Sequence, residues 1–153
     1  MILTTGKCLT RVGRLRERII MAKQPRILII DDDVDYRSST RALLEGEGYE
    51  VAEASGGHEG LAAVREHRPD LIILDVIMES LGEGYSVNQA LKFVPEYSEP
   101  KPIPVLMASS VEMDPASLFG WIGDTSPISP DAYMTKPLDI PLFLENVRRL
   151  LKN

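Results

Sequence analysis

Short apolar runs alternate with helical patterns along the chain. The runs that predict strands are rich in Ile, Leu and Val and cover residues 26–30, 49–54, 71–74, 103–108 and 132–135. Between them, apolar residues recur at spacings of three and four, which is typical of helices with one buried face. Because strand and helix alternate, the pattern predicts an α/β fold, a three-layer sandwich built around a five-stranded parallel sheet.

The helix boundaries follow from capping residues and breakers. Asp35 is the expected N-cap of the first helix, with Asp33 a solvated residue before it, and Asp139 is the expected N-cap of the last helix. The stretch 112–131 holds several breakers, so the helix between the fourth and fifth strands is expected to be irregular or shortened: Pro115, Gly120, Gly123, Pro127 and Pro130.

Length and charge divide the chain into one domain and a basic head. The 153 residues suit a single core. Residues 1–23 contain six basic residues and one acidic residue and so carry a charge of +5. Because the net charge of the chain is −6, the remaining residues carry −11. We expect residues 24–153 to form the domain and residues 1–23 to be an extension outside it. That extension is either a basic arm that touches a membrane surface or partner, or the product of an early start codon, and Met21 directly before the first strand favours the second interpretation.

Composition excludes several classes of function. An acidic body is a poor ligand for a polyphosphate, so we expect no binding to nucleic acid. Cys8 is the single cysteine, which rules out an intrachain disulfide and a cysteine-based metal site and favours the cytoplasm. No apolar stretch approaches the roughly 20 residues that a membrane-spanning helix needs.

Polar residues follow four of the predicted strands at the points where they end. Asp31 and Asp32 follow the first strand, Asp75 the third, Ser109 the fourth and Lys136 the fifth. The carboxyl ends of parallel strands share one edge of the sheet, where α/β proteins bind ligands, so these side chains should converge. Clustered carboxylates repel one another and require a cation. An all-oxygen cluster favours Mg²⁺.

In these segments the chain resembles the receiver domain of bacterial two-component response regulators. The resemblance covers about residues 25–151 and rests on four segments in order, ILIIDDD, PDLIILDVIM, PVLMASS and AYMTKP. It implies a flavodoxin-like sheet with strand order 2-1-3-4-5. Since the chain ends soon after its last helix, we expect a stand-alone receiver similar to the chemotaxis regulators, with no output domain attached.

The resemblance also implies a role for each polar residue of the acidic edge. Asp75 would take a phosphoryl group from a histidine kinase or a phosphotransfer protein. Asp31, Asp32 and Asp75 would bind Mg²⁺ together with the backbone carbonyl of Ile77.

Three further positions match residues that act on the phosphoryl group or respond to it. Ser109 would hydrogen-bond a phosphoryl oxygen, Lys136 would neutralise it, and Tyr133 would move inward as a switch that changes binding to an unknown downstream protein. Lys136 and Pro137 would be joined by a cis peptide bond.

Two other functional classes fit parts of the pattern. A Mg²⁺-dependent phosphohydrolase acting on a small phosphate ester would use the same acids, and turnover separates it from a receiver, which takes one phosphoryl group per chain. A structural module without phosphorylation is disfavoured by the retained acids and lysine. An EF-hand is excluded, because Tyr36 and Ala42 stand where that loop needs Gly and Glu.

Two apolar residues lie where polar side chains in the relatives orient the water that hydrolyses the acyl phosphate. Ile77 and Val111 stand two residues beyond Asp75 and Ser109 and offer that water no hydrogen bond. We therefore predict a long-lived phosphoryl group, to be measured as loss of phosphate from the phosphorylated protein. Rapid loss that does not change when polar residues replace both side chains would contradict this prediction.

Overall fold

The computed structural model describes residues 23–78, 82–110 and 129–152. The strands and helices alternate as the sequence predicts. The five strands are β1 (Arg26–Ile30), β2 (Glu50–Ala54), β3 (Leu71–Asp75), β4 (Val105–Ser109) and β5 (Ala132–Thr135). The described helices are α1 (Val34–Gly46), α2 (Gly57–His67), α3 (Glu83–Phe93), the single turn α4 (Pro95–Ser98) and α5 (Ile140–Leu150).

The strands form one parallel sheet in the order β2-β1-β3-β4-β5. In β1, which has a neighbour on each side, Ile27 pairs with Val51 of β2 and with Leu71 of β3. The α/β class, the parallel sheet and the order 2-1-3-4-5 are confirmed. The order places β1 and β3, the two strands that precede aspartates, next to each other.

The sheet lies between two layers of helices because successive side chains of a strand point to opposite faces. On one face, Leu28 and Ile30 of β1 pack in a cluster with Val64 of α2 and Leu91 of α3. On the other face the cluster is formed by different residues of the same strands together with helices α1 and α5: Ile27, Ile29, Ile73, Leu44, Phe143 and Val147. Apart from Arg26, the residues of β1, β3 and β4 are buried, which explains why their sequences are nearly continuous apolar runs.

The first helix is capped by Asp33, and the expectation that Asp35 is its N-cap is wrong. A side-chain oxygen of Asp33 accepts hydrogen bonds from the backbone N–H groups of Asp35 (2.9 Å) and Tyr36 (3.1 Å). Asp33 has an extended backbone, whereas Asp35 already lies in the first helical turn. Capping of α5 by Asp139 is confirmed by a 2.9 Å bond from the N–H of Leu142.

Some expectations concern residues outside the described ranges. The basic head of residues 1–23 lies outside them except for Lys23, and so does most of the predicted irregular helix of residues 112–131. The peptide bond between Lys136 and Pro137 is cis, as the resemblance implies. Within the described ranges, no helix combines the length and apolar character that a membrane crossing needs.

The beginning of α3 lies against the end of β3. A Cβ atom added to Gly84 would fall 2.8 Å from Cα and 2.9 Å from the carbonyl oxygen of Val76, and closer still to the carbonyl oxygen of Asp75. These are backbone atoms, which cannot turn away as a side chain can. Gly84 therefore allows the helix to approach the strand end that carries Asp75.

We predict that Gly84→Ala lowers the free energy of unfolding by about 1–3 kcal/mol, because the added methyl group displaces backbone. Gly46→Ala is the matched control, since Gly46 ends α1 and has no atom within 4 Å of its added Cβ. The control should leave stability equal or slightly raised. Denaturant unfolding of both variants is the measurement, and equal stability of the two would contradict the close approach.

Candidate functional site

Two buried carboxylates lie side by side at the carboxyl edge of the sheet. The backbone N–H of Asp31 donates to the carbonyl oxygen of Ala54 (3.1 Å), which continues the pairing of β1 with β2 by one residue. Asp75 is the last residue of β3, and the N–H of Val76 continues that strand onto Ala108 (3.1 Å). Asp31 is 1% exposed and Asp75 is 5% exposed. Hydrogen-bonded strand ends thus hold both acids below the surface.

Lys136 bridges these two acids. Its ammonium nitrogen lies 2.6 Å from Oδ2 of Asp31 and 3.2 Å from Oδ2 of Asp75. Its backbone N–H donates to the carbonyl oxygen of Ser109 (2.7 Å), which fixes the residue just beyond β5 against the end of β4. The side chain is only 12% exposed, so its interaction with the carboxylates is weakly screened by solvent.

Tight turns hold the other oxygen of each acid. Oδ1 of Asp31 accepts from the N–H of Asp33 (2.9 Å), and Oδ1 of Asp75 accepts from the N–H of Ile77 (3.2 Å). In both cases an aspartate binds the backbone two residues further on, a turn that Asp favours. Each carboxylate therefore presents Oδ2 to Lys136 while its other oxygen is held by backbone.

The acids are arranged so that they could share a cation. One side-chain oxygen from each of Asp31, Asp32 and Asp75 lies within 4.8 Å of the others, and Asp32 is the exposed member of the three. The set contains no nitrogen or sulfur ligand, so it suits a hard cation that prefers oxygen, such as Mg²⁺. The residues present fit the metal that the sequence predicts.

The electrostatics of the cluster make a charged Asp75 costly. Burial raises the pKa of Asp75, and the neighbouring charge of Asp31 raises it further. Lys136 and the N–H of Ile77 oppose that shift without cancelling it. With all three carboxylates ionised, the acids and the ammonium sum to −2, a charge that one divalent cation would balance.

Ser109 lies next to the acids as the last residue of β4. Ala108 pairs with Asp75, so Ser109 is one residue beyond it on the neighbouring strand, and it pairs with Thr135 of β5. Ser109 is 1% exposed. The structure thus brings Ser109 to the edge that holds Asp31, Asp75 and Lys136, as the sequence predicts.

Tyr133 lies in β5 on the face covered by α2 and α3. It is partly buried and packs against that cluster, and its buried hydroxyl group has no hydrogen-bond partner among the residues that the structure describes. Burial, and secondarily the nearby Tyr133, raise the pKa of Tyr85 to about 12. The buried hydroxyl shows that the Tyr133 side chain points into the cluster on this face of the sheet.

Two residues of α1, Tyr36 and Arg37, border the site although the sequence pattern does not mark them as site residues. The ring centroid of Tyr36 lies 3.9 Å from the Lys136 ammonium. Arg37 donates from Nη1 to the carbonyl oxygen of Asp31 (2.6 Å). Burial, with Asp31 next in importance, raises the pKa of the Tyr36 phenol, so the ring meets the ammonium in its neutral form. Their position in the first turn of the helix that follows the aspartates is the sequence feature that could have identified them.

Comparison with known proteins gives one consistent result. A model of the response regulator receiver domain family matches residues 27–148. The polar-differentiation response regulator DivK of Brucella anthropi is 31% identical over 128 residues, which cover 82% of this chain and 94% of DivK. The DNA-binding dual master transcriptional regulator RpaA of Synechocystis is 35% identical over 128 residues, which cover 84% of this chain and 49% of RpaA.

A solved structure agrees with the sequence relatives. The CheY-like receiver domain protein from Methanospirillum hungatei superposes with a TM-score of 0.68 at 30% identity, covering 85% of this chain and 95% of that one. The chain thus spans about half the length of RpaA and nearly all of DivK. With a family match over residues 27–148 and the sheet order of a receiver, the chain belongs to the response regulator receiver family, the phosphoacceptor domains of two-component signalling.

Proposed function

We propose that Asp75 is the residue that accepts the phosphoryl group. The observation that carries this proposal is the bridge from Lys136 to two buried carboxylates, Asp31 and Asp75. Of these two acids, Asp75 ends the central strand β3 and lies farther from the ammonium, at 3.2 Å against 2.6 Å for Asp31, and burial raises the pKa of Asp75. A carboxylate with residual negative charge beside an ammonium suits attack on phosphorus followed by neutralisation of the product.

The reaction is a transfer from nitrogen to oxygen. A carboxylate oxygen of Asp75 attacks the phosphorus of a phosphohistidine on a histidine kinase or phosphotransfer protein. An O–P bond forms, the P–N bond breaks, and its electron pair stays on the imidazole nitrogen, which takes up a proton from water. Lys136 offsets charge on the transferring oxygens, and such positioning and charge stabilisation provide most of the catalysis in phosphoryl transfer.

The same acids would hold the metal. Asp31, Asp32 and Asp75 are the proposed side-chain ligands of Mg²⁺, with the backbone carbonyl of Ile77 as a further ligand. Bound Mg²⁺ supplies positive charge beside Asp75 and at the phosphoryl oxygens. Asp32, the exposed acid, leaves one side of the cluster open to solvent, where a phosphodonor can approach.

Ser109 and Tyr133 are the proposed link from the site to a partner surface. Ser109 would bind a phosphoryl oxygen, and it lies on the strand whose end is tied to Lys136 by a 2.7 Å backbone hydrogen bond. Tyr133 lies on the adjacent strand β5, three residues before Lys136. A shift at the end of β4 would therefore reach Tyr133 through β5 and change the surface offered to a downstream protein.

In this proposal the chain is a signalling protein of the cytoplasm, and it does not catalyse the turnover of a separate substrate. Its partners are a phosphodonor protein and a downstream protein target. RpaA is described as DNA-binding, but it is about twice the length of the matching segment, and the acidic body of this chain does not favour contact with a polyphosphate. The alternative phosphohydrolase would release phosphate repeatedly, which the next experiment detects.

Incubation with acetyl phosphate and Mg²⁺ should add the mass of one phosphoryl group to the wild-type chain. Asp75→Asn should abolish the gain, because the amide is not a nucleophile. Asp70→Asn is the matched control, since Asp70 accepts the N–H of Arg26 at the opposite edge of the sheet and an amide oxygen can do the same. Intact-mass spectrometry with hydroxylamine treatment measures the adduct. An unmodified wild type, or release of phosphate from a stable phosphate ester in excess over protein, would overturn the proposal.

Asp75→Asn should also raise the free energy of unfolding at neutral pH without divalent cations. Because burial raises the pKa of folded Asp75, its ionisation costs folded-state stability as pH rises past the ordinary Asp value, about 3.9. The advantage of the variant should vanish below that pH and shrink when Mg²⁺ is added.

Glu59→Gln should change the free energy of unfolding at neutral pH in the opposite direction and lower it. Hydrogen bonds from Ser55 lower the pKa of Glu59, so its charge stabilises the fold above its ordinary pKa and that contribution is lost on acidification. Denaturant unfolding between acid and neutral pH measures both variants. A less stable Asp75→Asn protein at neutral pH without metal would contradict the prediction.

A further inference from the structure

Among the residues that the structure describes, two carboxylates and one aromatic ring lie next to the ammonium group of Lys136. The carboxylates are those of Asp31 and Asp75, and the ring is that of Tyr36, whose centroid lies 3.9 Å from the nitrogen. Both carboxylates are also proposed ligands of the metal. The ring is the described neighbour of the ammonium that is not a proposed metal ligand.

Occupation of the acidic site changes the surroundings of this ammonium. Once Asp31 and Asp75 are engaged by Mg²⁺, their charge is shared and a second cation lies nearby, so the hold of the carboxylates on Lys136 weakens. A lysine side chain has four flexible carbons and many rotamers, and its backbone anchor at Ser109 does not fix the ammonium. An attraction that persists with the site occupied would keep the group beside the acceptor.

Tyr36 provides a neutral surface in a fixed place. Its backbone N–H donates to the capping side chain of Asp33, which places it in the first turn of α1. The next residue, Arg37, donates a hydrogen bond from Nη1 to the carbonyl oxygen of Asp31 (2.6 Å), and its Nε lies 3.7 Å from Oε1 of Glu53. The ring therefore stands on a rigid element attached to the acidic site.

We infer that Tyr36 is a positioning residue, whose ring face retains the Lys136 ammonium beside Asp75 when the carboxylates are occupied by Mg²⁺. This inference rests on the proposed function of Asp75. The attraction is electrostatic, between a cation and the negative face of an aromatic ring, and is strengthened where water is largely excluded. It requires the ring and does not require the hydroxyl group.

The first test compares rates of phosphorylation at saturating acetyl phosphate and Mg²⁺. Tyr36→Phe keeps the ring and should react like the wild type, whereas Tyr36→Leu should lower the limiting rate by about three- to thirtyfold. Neither change removes a proposed metal ligand, so Mg²⁺ affinity should not weaken. Tyr49→Leu is the matched control, because that partly buried tyrosine packs on the α1 and α5 side, next to the start of β2, and should leave the rate unchanged.

Three results of the rate experiment would overturn the inference. They are an unchanged rate in Tyr36→Leu, an equal loss in Tyr36→Phe, and an equal loss in Tyr49→Leu. If the wild type itself takes no phosphoryl group, the proposed function fails separately, and the second test still decides whether the ring holds the ammonium.

The second test observes the contact without any phosphorylation. In protein with labelled lysine, protons on the carbon next to the Lys136 nitrogen should show a ring-current shift in NMR spectra of the wild type and of Tyr36→Phe. The shift should persist when Mg²⁺ is added and should be absent from Tyr36→Leu. Its loss on addition of Mg²⁺ to the wild type would overturn the inference.

Discussion

The bridge between one lysine and two buried aspartates is the interaction on which this structure depends. Lys136 follows the last strand of the sheet, whereas Asp31 and Asp75 end two neighbouring central strands, yet all three side chains meet within hydrogen-bonding distance. Buried charges are tolerated only when they are paired and hydrogen-bonded. The bridge leaves the acids with excess negative charge, and that excess suits the site to a divalent cation.

Backbone geometry makes this arrangement specific. The oxygens of Asp31 and Asp75 that face away from Lys136 each accept an N–H two residues further on, so neither carboxylate can rotate freely. The same local chemistry is repeated at Asp33, which caps α1 and thereby fixes Tyr36 beside the ammonium. Asp31, Asp33 and Asp75 thus each hold in place the backbone that directly follows them.

Adjacent strands connect the acidic site to the opposite side of β4, where β5 lies. Parallel strands end at a common edge, and a direct backbone bond joins the residue after β5 to the end of β4. In the proposed function, a change at Asp75 passes across neighbouring strands to Tyr133, which packs on the face covered by α2 and α3. Tyr133 lies close to the site because β4 and β5 are adjacent, although the chain between them is long.

The sequence alone determined the α/β class, the positions of the five strands and the convergence of Asp31, Asp75, Ser109 and Lys136, because burial on both faces produces continuous apolar runs and parallel strands end at one edge. The sheet order came from family resemblance and was confirmed. The capping role of Asp33 was missed, since two aspartates lay within reach of the same helix start and only backbone geometry chose between them. The contact between Lys136 and Tyr36 joins residues 100 positions apart, so only the tertiary structure, which brings β5 and α1 to the same acids, decided it.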